Sequence, residues 1–208
     1  MKKLITLMSL AVVGLSFSQE EEQAPKFNVT GSVDAYFRAN LNSANDEGSN
    51  TILGSGDYSA FANDSGFSLG MANVTFSYEG EDVGFVADFA YGPRANAGVD
   101  LNSPDALGTI NEAYMYWNAS DNLTLMMGRF NSWMGYETLS AANNFHYSMS
   151  HMFTYSARNW NGIAAQFRLG NDFNLGVGVM NPVDVTVGNN SGDYSIAAGL
   201  SKEDTGVS

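Results

Sequence analysis

Between residues 27 and 37 the chain repeats with a period of two. Phe27, Val29, Gly31, Val33, Ala35 and Phe37 take every second place, Asn28, Thr30, Ser32, Asp34 and Tyr36 stand between them, and Arg38 follows. Successive side chains of a strand point to opposite faces, so the segment specifies a strand with one apolar and one polar face. The same alternation sets Val74, Phe76 and Tyr78 against Asn73, Thr75 and Ser77. It recurs in Val83, Phe85, Ala87, Phe89 and Tyr91 against Gly84, Val86, Asp88 and Ala90. Further strands are predicted at 110–118, 122–131, 162–169, 173–181 and 194–201. Each has roughly the 9–11 residues that a tilted strand needs to cross a bilayer, and together they make about eight strands. Abundant Gly, Tyr and Phe with only 4 Pro suit such strands, and would equally suit a soluble all-β sandwich.

The connections discriminate better than the strands. Short turns are predicted at 79–82, 119–121, 170–172 and 202–206, and long loops at 40–66, 93–109, 132–161 and 182–193. A regular alternation of short and long connections puts every long loop at one end, as in outer-membrane barrels with short periplasmic turns and long external loops. The expected fold is an all-β, transmembrane, antiparallel up-and-down β-barrel with its N-terminus in the periplasm. Residues 147–156 also have strand character, with Tyr147, Met149, Phe153 and Tyr155 on one side. Counting them as a spanning strand would break the alternation, so 132–161 is read as one external loop folding back into the barrel mouth. Aromatic residues crowd the predicted strand ends: Tyr36, Phe37, Phe67, Tyr91, Phe130 and Trp160 at the outer side, and Phe27, Tyr78, Trp117, Phe167 and Phe173 at the inner.

The start of the chain reads as an export signal over residues 1–18: Lys2 and Lys3, an apolar stretch over 4–15, then Ser16-Phe17-Ser18 before the cut. The barrel is assigned to 19–208. The apolar stretch is about half the length of a spanning helix, and no later segment approaches ~20 apolar residues. Cysteine is absent, so disulfides contribute nothing to stability. The formal net charge of -13 becomes more acidic once Lys2 and Lys3 are removed, which disfavours nucleic acid as a partner. His146 and His151 flank Ser148 and Ser150, but no acid orienter stands at a telling spacing, and two histidines alone do not make a zinc site. The loop carboxylates Asp46, Glu47, Asp57, Asp64, Asp100, Asp105, Glu137, Asp184 and Asp193, against Arg94 and Arg158, lack the spacing of a calcium loop. No enzyme, metal or cofactor is therefore expected.

Gly128-Arg129-Phe130, Gly135-Tyr136-Glu137, Asn144, Tyr147-Ser148, Ser150 and the ending Met180-Asn181 resemble the OmpL-like β-barrel porin family of Gram-negative bacteria. Met115-Tyr116 and Gly31-Ser32-Val33-Asp34 are similar to it as well. The chain departs from the family at Phe145-His146, where a Trp usually precedes the Asn-Tyr-Ser run, at Met149, where the family has Arg, and at Pro182-Val183 in place of Gly-Trp. The resemblance implies the outer membrane of a Gram-negative bacterium and a porin-like channel for passive diffusion of small hydrophilic solutes or ions. Because that family's barrels are longer, it also implies the N-terminal portion of a larger barrel; closure of about eight strands alone is the other possibility. Membrane lipids, the barrel assembly machinery and a homo-oligomer are the partners that such a protein would have.

By parity the inward face presents Asp34, Arg38, Asp88, Glu112, Tyr114, Tyr116, Gln166 and Arg168 as candidate pore lining, interleaved with Gly84, Gly162, Gly176, Gly178 and Gly199. In the loop at 132–161, Trp133, Tyr136, Glu137, His146, Tyr147 and His151 are the candidate constriction residues. The acidic loops would favour cations at the outer mouth. Arg129 falls by parity on the apolar face, from which it could snorkel to the interface or be turned inward by a bulge. The alternatives are a non-conducting structural or adhesive barrel and a soluble secreted β-sandwich binding carbohydrate or calcium.

Overall fold

The structure is a computed structural model that describes residues 25–39, 41, 66–98, 109–150, 152–153, 156–182, 189 and 191–202. The predicted export signal and most of the loops at 40–66 and 182–193 lie outside the described residues, as do His151 and the predicted turn beyond Lys202. The strands are β1 (Lys26–Arg38), β2 (Gly66–Glu79), β3 (Val83–Tyr91), β4 (Ile110–Ser120), β5 (Leu123–Asn131), β6 (Asn159–Gly170), β7 (Phe173–Met180) and β8 (Ser195–Lys202). They form a single 8-stranded sheet in chain order, each strand antiparallel to the next. This is the up-and-down topology expected from the connections, and a sandwich would have required two packed sheets. The sheet is not closed: among the described residues, β1 and β8 do not pair with each other.

The short connections all lie at one end. Asn171 and Asp172 join β6 to β7 with φ of 50° and 64°, the two positive values of a type I′ hairpin, whose twist matches that of the flanking strands. Asn and Asp tolerate this left-handed geometry better than other side chains. Two features differ from the sequence reading. β6 begins at Asn159, so the long connection between β5 and β6 ends at Arg158. A short helix, α1 (Pro93–Gly98), starts the connection after β3, with Pro93 at its first turn, where its missing N–H costs nothing. Among the described residues of 147–156 none is in a strand; Met152 and Phe153 form a helical turn.

Registers confirm the alternation of faces and show where it is interrupted. Asp34 pairs with Met71 but Ala35 with Leu69, leaving Gly70 as an extra residue in β2; likewise Asp88 pairs with Glu112 and Phe89 with Ile110, leaving Asn111 extra in β4. These two bulges sit toward the loop end; two further register shifts, between Asn118 and Ser120 and between Arg168 and Gly170, lie at the turn end. On the apolar face large side chains stand open, with Phe67 at 90%, Ile196 at 83% and Val33 at 77% exposure. A contiguous apolar surface of this kind is stable against hydrocarbon, not against water. Its turn end carries Phe27, Tyr78, Phe85, Trp117 and Phe173, with Tyr78 stacked on Phe85 at 5.9 Å. At the loop end Phe37 packs on Phe67 at 4.8 Å. Three of the predicted outer aromatics are not in this girdle: Tyr36, Phe130 and Trp160 lie on the opposite, polar face, and Phe130 and Trp160 are buried there.

The β6–β7 turn provides a direct check on this geometry. Asn171→Val, placing a β-branched residue at positive φ, is expected to destabilise the folded sheet by about 1–2 kcal/mol. Asn171→Gly should be close to neutral. The urea midpoint of the detergent-solubilised protein, followed by the gel shift on boiling, reads the difference.

Candidate pore lining and constriction loop

Strand pairing places the eight candidate lining residues on one face. Asp34 and Arg38 lie on β1 with Ser32 and Tyr36; Asp88 on β3 faces Glu112 on β4; Tyr114 and Tyr116 face Gly128 and Met126 on β5; Gln166 and Arg168 on β6 face Thr124 on one side and Asn174 on the other. They spread from the loop end, where Arg38 stands, to the turn end, where the Arg168 Nη1 donates to the Asp121 carbonyl at 3.4 Å.

Asp88 is the centre of a polar network. It is 6% exposed, and its carboxylate accepts from Thr75 Oγ1 at 2.7 Å, Asn111 Nδ2 at 2.8 Å and Asn73 Nδ2 at 3.0 Å. Ser32 Oγ in turn donates to Asn73 Oδ1 at 2.6 Å. A buried carboxylate is tolerable only when hydrogen bonds replace its hydration, and here side chains of β2 and β4 do so. Glu112, beside it, accepts from the Asn131 backbone N–H at 3.0 Å. Asn111 joins the network because it is the extra residue of its bulge; simple alternation would have turned it to the apolar face.

The connection between β5 and β6 folds back over this face. Leu139, Met149 and Phe153 from the loop pack with Met71 and Ala90 of the sheet and Ala95 of α1. A second cluster gathers Phe130, Ala157, Trp160, Ala164 and Met180, with Trp133 against it. Trp133 lies 5.0 Å from the Trp160 ring, edge to face, and 6.1 Å from Phe130, stacked. Within the loop, Thr138 N–H donates to Asn144 Oδ1 at 2.8 Å and Asn144 Nδ2 returns a bond to Thr138 O at 2.7 Å. Glu137 accepts from the Ser150 N–H at 2.7 Å and from its hydroxyl.

Two latches hold the loop down. Arg94, 4% exposed on α1, donates from Nε to the Leu139 carbonyl at 2.9 Å and from Nη2 to the Tyr147 carbonyl at 2.7 Å, with its guanidinium 4.9 Å from the Tyr147 ring. The Tyr147 hydroxyl donates to Asp34 Oδ2 at 2.9 Å, and its ring lies 5.7 Å from Tyr36. The bulge makes room for this contact: a side chain on Gly70 would collide with the Asp34 carboxylate and the Tyr147 hydroxyl. Burial, and then the bond to Asp34, push the Tyr147 phenol up to about 12 from the usual 10.0. The neutral phenol is the donor, so this contribution is complete below pH 10.0 and is lost only as pH rises toward 12. The latch is intact over the physiological range.

Of the loop residues picked from sequence, Trp133, Glu137 and Tyr147 take part in this packing, whereas Tyr136 is 72% exposed and His146 is exposed beside Phe145, 4.9 Å from its ring. Arg94, which the sequence shows only as one of the loop charges, is the buried clamp. No local signal marks it, because its partners lie 45 and 53 residues away. Arg129 stays on the apolar side of its strand, with Met127. At 6% exposure it donates to the Asn111 carbonyl at 3.3 Å and to Asn159 Oδ1 at 3.2 Å, so the bulge supplies one of its acceptors. Asn159 also donates to the Asn111 carbonyl at 3.0 Å and to Asn131 Oδ1 at 2.9 Å.

An apolar outer band, a polar face and a loop packed on that face agree with what a family comparison finds. The family model described as "Putative beta-barrel porin-2, OmpL-like" matches residues 26–207. The chain belongs to this porin family. The match covers all eight strands and the loop that packs on their polar face, so the all-β, up-and-down architecture is that of a porin of this class. Among curated proteins none matches the chain.

Removing the Arg94 clamp leaves the Leu139 and Tyr147 carbonyls without its donors. Bonds to a charged donor are worth ~1.5–3 kcal/mol, so Arg94→Ala is expected to raise the rate of chymotryptic cleavage within the loop by about tenfold or more. Gly70→Ala should act in the same direction by displacing Tyr147. Limited proteolysis of the folded protein in detergent measures both.

Proposed function

We propose that the protein is an outer-membrane channel for passive diffusion of small hydrophilic solutes or ions. The supporting observation is the latched loop: it covers part of the polar face but leaves space beneath it. A cavity of about 350 Å³ separates Thr138, Leu139 and Ser140 from Ser32, Asn73 and Asp88. A plug that filled the lumen would close such a space, whereas a constriction narrows it. Asp34, Arg38, Asp88, Glu112, Tyr114, Tyr116, Gln166 and Arg168 are the lining of this pore. The loop from 132 to 158 is its constriction, held by Tyr147 and Arg94. The carboxylates of Asp34, Asp88 and Glu112 give the constriction a negative field that favours cations.

The open edges of β1 and β8 bear on the extent of the barrel. Unpaired backbone groups in hydrocarbon cost several kcal/mol each. These strands are therefore proposed to be the N-terminal portion of a larger barrel whose further strands pair with the two edges, following export by a signal at 1–18. Localisation in the outer membrane of a Gram-negative bacterium, insertion by the barrel assembly machinery and any oligomer belong to the same proposal.

Planar-bilayer recording of the full-length protein tests it. Stepwise conductance with a reversal potential favouring potassium over chloride is expected. Asp34→Asn keeps an acceptor for Tyr147 but removes a charge, so it should reduce the cation preference more than Tyr147→Phe does, while Tyr147→Phe should broaden the distribution of open currents. Absence of conductance from a heat-modifiable, folded protein would overturn the channel and leave a non-conducting barrel.

A further inference from the structure

A second space opens on the polar face toward the turn end. The pairing brings Thr124 of β5, Gln166 of β6, Gly176 of β7 and Gly199 of β8 into one row across the sheet. Arg168, Asn174 and Ser201 form the next row toward the turns. Trp133 reaches this region from the loop. Its six-membered ring lies so close over Gly176 that a Cβ there would sit 3.2 Å from Cε3 and Cζ3. A Cβ on Gly199 would meet nothing within 4 Å. Gly176 therefore seats the indole, and Gly199 leaves the floor beside it clear. These residues enclose a cavity of about 320 Å³, at the lower end of the ~300–1,000 Å³ typical of small-molecule sites.

The chemistry of the walls is specific. One wall is aromatic and is held in place, since Trp133 is packed against Phe130 and Trp160. The others carry the side-chain amides of Gln166, Asn174 and Asn122, which donate and accept equally, with hydroxyls from Thr124 and Ser201. Arg168 and Asp121 bring charges of both signs, so neither an anion nor a cation is selected. A pyranose ring fits that set: its C–H faces lie against an indole, and its hydroxyls both donate and accept.

We propose that this cavity is a saccharide subsite, recognising one or two neutral sugar rings in transit. The assignment rests on the channel reading and names the class of solute that the channel slows and selects. The indole supplies an apolar wall, Gln166, Asn174 and Arg168 orient the hydroxyls, and Gly199 supplies the room.

Potassium chloride current through the full-length protein in planar bilayers, with glucose or maltose added, tests the proposal. Maltose is expected to reduce each channel's current in a saturable way with a midpoint in the millimolar range, as for weak transit binding. Trp133→Ala should weaken the block by about tenfold, the loss of one well-packed ring face. Because Trp133 also supports the loop, the deciding variant is Gly199→Phe. It grows into open space, fills the cavity and should abolish the block, read against that variant's own open current. Current without any saccharide block overturns the subsite and spares the channel, and a block unchanged in Gly199→Phe also overturns it. If no current flows, the channel reading fails separately. A maltose-dependent change in tryptophan fluorescence of the folded protein in detergent, present in the wild type and absent in Gly199→Phe, then still supports the site, and no change overturns it.

Discussion

Hydrocarbon offers no hydrogen bonds, and that constraint organises the whole molecule. Every backbone N–H and C=O within the apolar band must be paired by a neighbouring strand, so the chain runs as a meander in which each strand satisfies the next. A strand that pairs on both sides has only its side chains with which to distinguish lipid from lumen. The strict alternation along β1 and β3 is the result. The constraint also explains why the polar groups of this protein gather on one face: any placed on the other must find a partner locally, as Arg129 does with Asn159 and the Asn111 carbonyl.

The polar face has its own requirement, because Asp88 and Asn111 are buried there and not simply solvated. Burial of the carboxylate is tolerable through the side chains of Thr75, Asn73 and Asn111. The loop becomes orderly by the same means in reverse. Its carbonyls at Leu139 and Tyr147 accept from a buried guanidinium, and its apolar residues cover Met71 and Ala90. Irregular backbone is stable there only because it lines a cavity or packs on protein. The two bulges link the faces: Gly70 clears space for Tyr147 against Asp34, and Asn111 sends a side chain to Asp88 and a carbonyl to Arg129.

Much of this was legible in the residues. Period two gave seven of the eight strands to within a few residues where full bounds could be read, and connection length gave their order. It also placed Asp34, Asp88, Glu112 and the other lining candidates on one face, since a pleat alternates without regard to what lies above it. The start of β6 was missed because Asn159 and Asn161 are polar where the alternation calls for apolar residues, and a polar residue in such a place reads as loop. Tyr36, Phe130 and Trp160 were assigned to a membrane girdle by their position at strand ends. Aromatic rings serve a girdle and a loop-binding cluster equally well, and only parity with a known register separates the two.

What the sequence by itself determined is therefore the fold: alternating strands, their order, and which face meets lipid. These follow from interactions between near neighbours, namely backbone pairing across short turns and the two-residue repeat. The bulges, the Arg94 clamp, the Tyr147 latch and the seating of Trp133 on Gly176 were decided only by tertiary structure. Each depends on contacts between segments tens of residues apart, and a bulge shifts the parity from which any local reading must start.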